Sequence, residues 1–224
     1  MRVQYCSIMC LRLSHADAVG RENKMKKTDY AKKITVIIIG AIISAFGISV
    51  AINAGFGGAT LAVLWQGTAK CFNMSIGAAS AVVAAVMILF AFFYDRKQIH
   101  IGTVLYQIFY SGFVDIFSAN YETASGALNF FIMLGGILLF GAGTGMYAAA
   151  NLGRGSYEAV TFAIAERNGF RTAYVRMALD AAVVLLGAAM GGSVGLCTVV
   201  TILVSGAVIQ RSKQLTEKFI FGGK

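Results

Sequence analysis

Proline is absent from the 224 residues, where about 5% is usual. A proline kink is therefore excluded, and any break in a helix must come from the 26 glycines. Charge is scarce too, at 13% of residues against 58% hydrophobic. Soluble domains carry about 25% charged residues, so polar surface is too small here to cover a soluble globule. The four cysteines, Cys6, Cys10, Cys71 and Cys197, form no C-x-x-C pair, and the histidines are only His15 and His100. Zinc spacing and a disulfide framework are thereby disfavoured. Cys71 and Cys197 read as small side chains among apolar neighbours. No Ser/His/Asp set appears. The glycines around Gly153 are not a dinucleotide fingerprint, because they follow a helix and have the wrong spacing. The expectation is no enzyme, no catalytic residues, no metal and no cofactor.

What is there is a series of apolar runs. Residues 1–33 carry eight cations and no sustained apolar period, and are read as a poorly ordered basic tail on the cytoplasmic side. Met25-Lys26-Lys27 before an apolar run has the look of a natural start, with residues 1–24 an over-long N-terminus. The run from Ile34 to about Ala54 is too long for the apolar core of a cleaved signal and suits an uncleaved span. Further spans are expected at about 76–94, 101–117, 128–150, 172–190 and 195–209. A polar turn at 118–125 and a glycine turn at 191–193 separate some of them. The membrane domain is thus 34–210, with halves at 34–118 and 128–210, and a cytoplasmic tail follows at 211–224.

Two segments, 59–72 and 156–168, are helix-like but short. At 1.5 Å per residue they reach roughly 20 Å, less than the ~30 Å hydrocarbon core. They are read as interfacial or re-entrant. With the N-terminus inside, this count leaves Lys70 as the single cation outside, a strong positive-inside pattern. Both termini are then cytoplasmic, in a bacterial inner membrane. The net charge of +9 is explained by that pattern, and nucleic acid is not an expected partner because the cations form no single stripe.

The halves repeat. At an offset of 98, Gly47 meets Gly145, Asn53 meets Asn151, Gly55 meets Gly153 and Gly57 meets Gly155. At an offset of 95, Thr103-Val104 meets Thr198-Val199, and Asp115 meets Gln210. Three crossings per half would put the second half upside down, the arrangement of many secondary transporters. The fold expected is an all-α polytopic bundle of about six spans, two inverted three-span repeats with two short helices.

Candidate binding residues follow from these breaks. Asn53, Gly55, Gly57, Asn151, Gly153 and Gly155 stop the helix and leave backbone groups free for a ligand. The competing reading is an interfacial turn with an asparagine cap and glycine C-caps. Glu158 opens the second short helix, where a carboxylate suits an N-terminus, and the same residue could serve a site. Arg176 and Asp180 lie four apart on one helical face, at ion-pair spacing inside a span. They read as a substrate or ion site, or as a snorkelling arginine with its neutralising partner. Asp115 and Gln210 read as span ends, and His100 as an interface residue.

Gly143-Thr144-Gly145-Met146-Tyr147, Ala150-Asn151-Leu152-Gly153 with Gly155, Val175-Arg176 with Asp180, and Gly191-Gly192-Ser193-Val194-Gly195 carry a resemblance. Ile101-Gly102-Thr103-Val104-Leu105 and Val114-Asp115 add to it. Over about residues 34–212 the chain resembles the YczE/YitT-type integral membrane proteins of bacteria. It departs in having Cys197 where similar proteins often have glycine before Thr-Val, and Ser156 where they often have proline. The resemblance implies a multi-pass cytoplasmic-membrane protein and brings no substrate. The function expected is a transporter or permease-like protein for a small solute, with Arg176 and the amides after Gly153 favouring an anion. The alternatives are a non-transporting scaffold or regulator and a lipid-modifying enzyme. Expected partners are the bilayer and a solute the sequence does not name, and a homo-oligomer stays open.

Overall fold

The computed structural model describes residues 27–119 and 128–222. The expectations for residues 1–26, and for most of the polar turn at 118–125, lie outside them. The described residues hold eight α-helices and no strand. They are α1 (Lys27–Asn53), α2 (Thr60–Phe72), α3 (Ile76–Tyr94), α4 (Ile101–Ala119), α5 (Leu128–Ala149), α6 (Ser156–Asn168), α7 (Thr172–Ala189) and α8 (Leu196–Ile220), with a single 3₁₀ turn at Arg96–Gln98.

The two short helices fall where they are expected, and their ends have local causes. Asn73 (φ 49°) and Gly169 (φ 67°) close α2 and α6 in the left-handed conformation, the usual way to stop a helix. Ser75 opens α3 by accepting from the Ala78 amide at 3.1 Å. Asp115, expected as a mere span end, helps fix that same start. Its carboxylate accepts from the Gly77 amide at 2.6 Å and from the Ser75 hydroxyl at 2.7 Å.

Two boundaries differ from expectation. α1 already begins at Lys27, within the expected tail, and α8 continues to Ile220, well past Ile209. Lys213 and Glu217 pair across one turn of this extension at 3.7 Å, a spacing that supports an exposed helix.

Among the described residues, four helices are long and apolar enough to cross a membrane: α1 over Asp29–Asn53, α3, α5 and α8. Of similar length, α4 and α7 carry Tyr106, Gln107, Tyr110 and Asp115, and Arg176 and Asp180. Large apolar side chains such as Phe93, Leu185 and Leu203 are exposed. A surface with so many of them is suited to lipid rather than water.

α1 and α5 cross with almost nothing between their backbones. A Cβ placed on Gly40 would lie 2.7 Å from the Gly143 carbonyl oxygen, and one on Gly136 2.7 Å from that of Gly47. As numbers rise along α1 they fall along α5, so the pair is antiparallel. Ser44 and Thr144 share a hydroxyl hydrogen bond of 3.2 Å at this crossing. Small residues at the contact let membrane helices approach closely.

Each half reaches into the other in the same way. α2 packs on α7 through Gly67 and Gly187, and Lys70 Nζ donates to the Gly191 carbonyl at 2.6 Å. α6 packs on α3 through Ala159, Val160 and Ala91, and Arg167 Nη1 donates to the Tyr94 carbonyl at 2.9 Å. In both places a cation near the end of a short helix meets a carbonyl where a long helix finishes, the favourable pole of its dipole. α1 lies beside α4, with Ser49 Oγ donating to the Val114 carbonyl at 3.3 Å. α5 lies beside α8, with Ser212 Oγ donating to the Ala142 carbonyl at 2.6 Å.

Candidate functional site

The two broken stretches are pinned by reciprocal hydrogen bonds. After α1, the Phe56 carbonyl accepts from the Cys197 amide at 3.0 Å and the Gly58 carbonyl from the Thr198 hydroxyl at 2.6 Å. After α5, the Leu152 carbonyl accepts from the Gly102 amide at 3.0 Å and the Arg154 carbonyl from the Thr103 hydroxyl at 2.7 Å. Each stretch is thus held by the first turn of the other half's last helix. Four of the carbonyls in the breaks are spent on this contact.

The geometry also shifts the register. Phe56 and Gly58 answer to Leu152 and Arg154, 96 positions on, so Gly57 answers to Gly153 and not to Gly155. Both sit at positive φ, 90° and 131°, where only glycine is unstrained. A Cβ on Gly57 would come within 2.6 Å of the Gly195 amide nitrogen, and one on Gly153 within 2.5 Å of Thr103 Oγ1. The Asn-x-Gly-x-Gly likeness is a slip of two residues. Asn53 ends α1 and donates from Nδ2 to the Ser118 carbonyl at 3.3 Å, whereas Asn151 (φ 51°) lies beyond α5 and is exposed. Gly55 is exposed in its turn.

The pinning turns both short helices so that their N-terminal turns face one cavity of about 90 Å³. Residues 59–62 and Trp65 of the α2 region line it, as do Gly155, Ser156, Tyr157 and Glu158 at the start of α6. Neither helix has a side-chain cap at its first turn. Tyr106, Gln107 and Tyr110 of α4 contribute, with Thr201 and Ser205 of α8, Thr144 of α5 and Arg176 of α7. Rings fill one side: Tyr106 stacks on Tyr147 with centroids 4.0 Å apart, and Trp65 meets Tyr110 edge-on at 5.8 Å.

Of the nine candidate residues, Gly155, Glu158 and Arg176 line this cavity. Asn53, Gly55, Gly57, Asn151 and Gly153 belong to the connecting stretches. Asp180 reaches the cavity only through Tyr157, whose hydroxyl donates to its carboxylate at 2.7 Å. The natural i,i+4 ion pair with Arg176 does not form. Tyr157 takes the carboxylate, and the Arg176 guanidinium lies 5.7 Å from the Tyr157 ring centroid instead.

Sequence reasoning missed Trp65, Tyr106, Tyr110, Thr201 and Ser205. The signal was available: Thr103, Tyr106 and Tyr110 in α4 match Thr198, Thr201 and Ser205 in α8 at the offset of 95, a hydroxyl stripe at helical spacing. A second hollow, of about 370 Å³, lies between the end of α6 and α7 around Phe170, Arg171 and Tyr174. It is lined by a single half, and Phe170 and Tyr174 are largely exposed.

Comparison with known proteins gives the family. The model described as "Family of unknown function (DUF6198)" matches residues 31–214, and the chain belongs to that family. It is 26% identical over 190 residues to the "Uncharacterized membrane protein YczE" of Bacillus subtilis (strain 168), covering 83% of this chain and 87% of that protein. It is 31% identical over 181 residues to an "Uncharacterized protein" of Haemophilus influenzae (strain ATCC 51907 / DSM 11121 / KW20 / Rd), covering 80% of this chain and 82% of that one. No solved structure matches. The chain is a YczE-type membrane protein.

Proposed function

We propose that the protein is a transporter or permease-like carrier of a small solute in the bacterial cytoplasmic membrane. Its solute site is the cavity between the first turns of α2 and α6. In this reading the chain is two inverted three-span halves, α1, α3 and α4 followed by α5, α7 and α8, with both termini cytoplasmic. α2 and α6 are re-entrant, entering from opposite faces.

One observation carries the reading: the N-terminal turns of both short helices line a single cavity, together with Arg176. Broken helices whose positive ends meet at a repeat interface are how many secondary transporters bind solute. The reciprocal pinning of 56–58 by α8 and of 152–154 by α4 supports the two-fold relation, as does the antiparallel crossing of α1 and α5. The polar groups of α4 and α7 support spanning roles as well, because most of them turn to the cavity rather than to lipid.

The test is flux. Purified protein in proteoliposomes, offered a panel of small labelled solutes, is expected to move at least one, and Arg176→Ala is expected to abolish that movement. Absence of flux for every solute, with a partner protein that co-purifies, would identify a scaffold instead. Topology is checked by cysteine labelling: a cysteine placed at 119–126 should react from outside, and one at 95–100 should not.

A further inference from the structure

We propose that the cavity binds a compact monovalent oxyanion, held mainly at its α2 end. This rests on the cavity being the solute site, and it names the class of solute. The first support is α2 itself. Its first-turn residues line the cavity and its start has no side-chain cap, and a helix of 13 residues carries at that end free N–H donors and the positive end of its dipole. Alone this would be a helix end like any other.

The second support is independent. Trp65 and Tyr110 both line the cavity and are 5% and 3% exposed, yet the indole Nε1 and the phenol oxygen have no hydrogen-bond partner. A buried polar group left unpaired costs about 1–3 kcal/mol. The indole N–H can only donate, so whatever satisfies it must be an acceptor. Arg176 adds a positive charge to the lining, and it is left without an ion pair because Tyr157 holds Asp180.

Charge and size narrow the class. Glu158 lines the α6 end, and its carboxylate opposes a second negative charge on the ligand. The volume of about 90 Å³ is somewhat below the ~150 Å³ of a cavity that takes up benzene. A small carboxylate or an inorganic oxyanion of that size is admitted. Glu158 disfavours a divalent oxyanion of the same size, and a nucleotide is too large for that volume.

Trp65 is the single tryptophan of the chain, so its emission reports this cavity alone. The experiment titrates the full chain in detergent with potassium formate and potassium acetate, using potassium gluconate at matched ionic strength as a bulky control and potassium sulfate as a divalent one. A saturable change in Trp65 emission is expected with formate or acetate and none with gluconate. Sulfate should bind at least about tenfold more weakly, and Tyr110→Phe, which removes only the hydroxyl, should weaken acetate by about tenfold. Isothermal titration of Trp65→Phe gives a second reading free of the probe, and a similar loss is expected. The inference is overturned by no saturation and no heat with either small anion, by gluconate binding equally well, or by an unchanged affinity in both variants. Anion binding without flux of any solute would remove the transport reading and leave this one. Flux of a neutral or cationic solute without anion binding would do the reverse.

Discussion

The stretch between α1 and α2 and the stretch between α5 and α6 do the same structural work with different residues. Both offer two carbonyls to the other half, both turn on a glycine at positive φ, and both deliver a short helix to the cavity. The first, however, opens on Ala59, Thr60 and Leu61, and the second on Gly155, Ser156, Tyr157 and Glu158. The backbone contacts of the two stretches correspond and their chemistry does not. The shared part therefore reports on folding, and the unshared part on the ligand. In the proposed site, a carboxylate at the α6 end and none at the α2 end would give a bound solute one preferred end.

The largest effect that can break this comparison is on the glycines. Gly57→Ala and Gly153→Ala both force an alanine to positive φ against the other half, and each is expected to cost about 3 kcal/mol. Gly155→Ala should cost under about 1 kcal/mol, since Gly155 lies at φ −55° and its new methyl meets chiefly the movable Glu158 carboxylate. Thermal unfolding in detergent ranks the three. If Gly155 proved as sensitive as Gly57, the offset of 98 would be the working register and the pinning scheme would fail.

The threonines come next. Thr103→Val and Thr198→Val each remove a short hydrogen bond to a loop carbonyl, and the acceptor of the His100 or Gly195 amide with it, for about 1–2 kcal/mol apiece. The two losses should be alike in the same unfolding measurement. A large loss at one and none at the other would mean that the two stretches are held differently. The smallest effect sharpens the chemical difference. Glu158→Gln takes away the negative end of the cavity, and acetate affinity measured through Trp65 should rise by about two- to fivefold. A fall in affinity would place the bound carboxylate's partner at the α6 end.

Much of this fold was legible in the sequence. Glycine punctuation and length alone marked the short helices at 59–72 and 156–168, within one residue of α2 and α6. The match of Thr103 to Thr198 was visible, because hydroxyls in apolar runs are scarce. Its purpose was not, since the hydrogen bond from Thr198 spans 140 residues to Gly58 and no local pattern encodes such a partner. Asn53 and Asn151 misled for a related reason. Identity of residue type in a glycine-rich chain is weak evidence of equal position, and only the backbone conformation separated a helix end from a left-handed turn. Arg176 and Asp180 show the limit of spacing rules. Their i,i+4 geometry is sound, but a tyrosine from another helix competes for the carboxylate. Trp65 and Tyr110 stayed hidden because an aromatic in an apolar run looks the same whether its polar atom is satisfied or waiting.

The cross-pinning has a consequence for the order of synthesis. The carbonyls of Phe56 and Gly58 receive their partners only from Cys197 and Thr198, which leave the ribosome long after the first half has entered the bilayer. Until then those groups lack the partners that the folded protein gives them. The first half is therefore an unfinished object for most of its own translation, and the last helix made is the one that completes it.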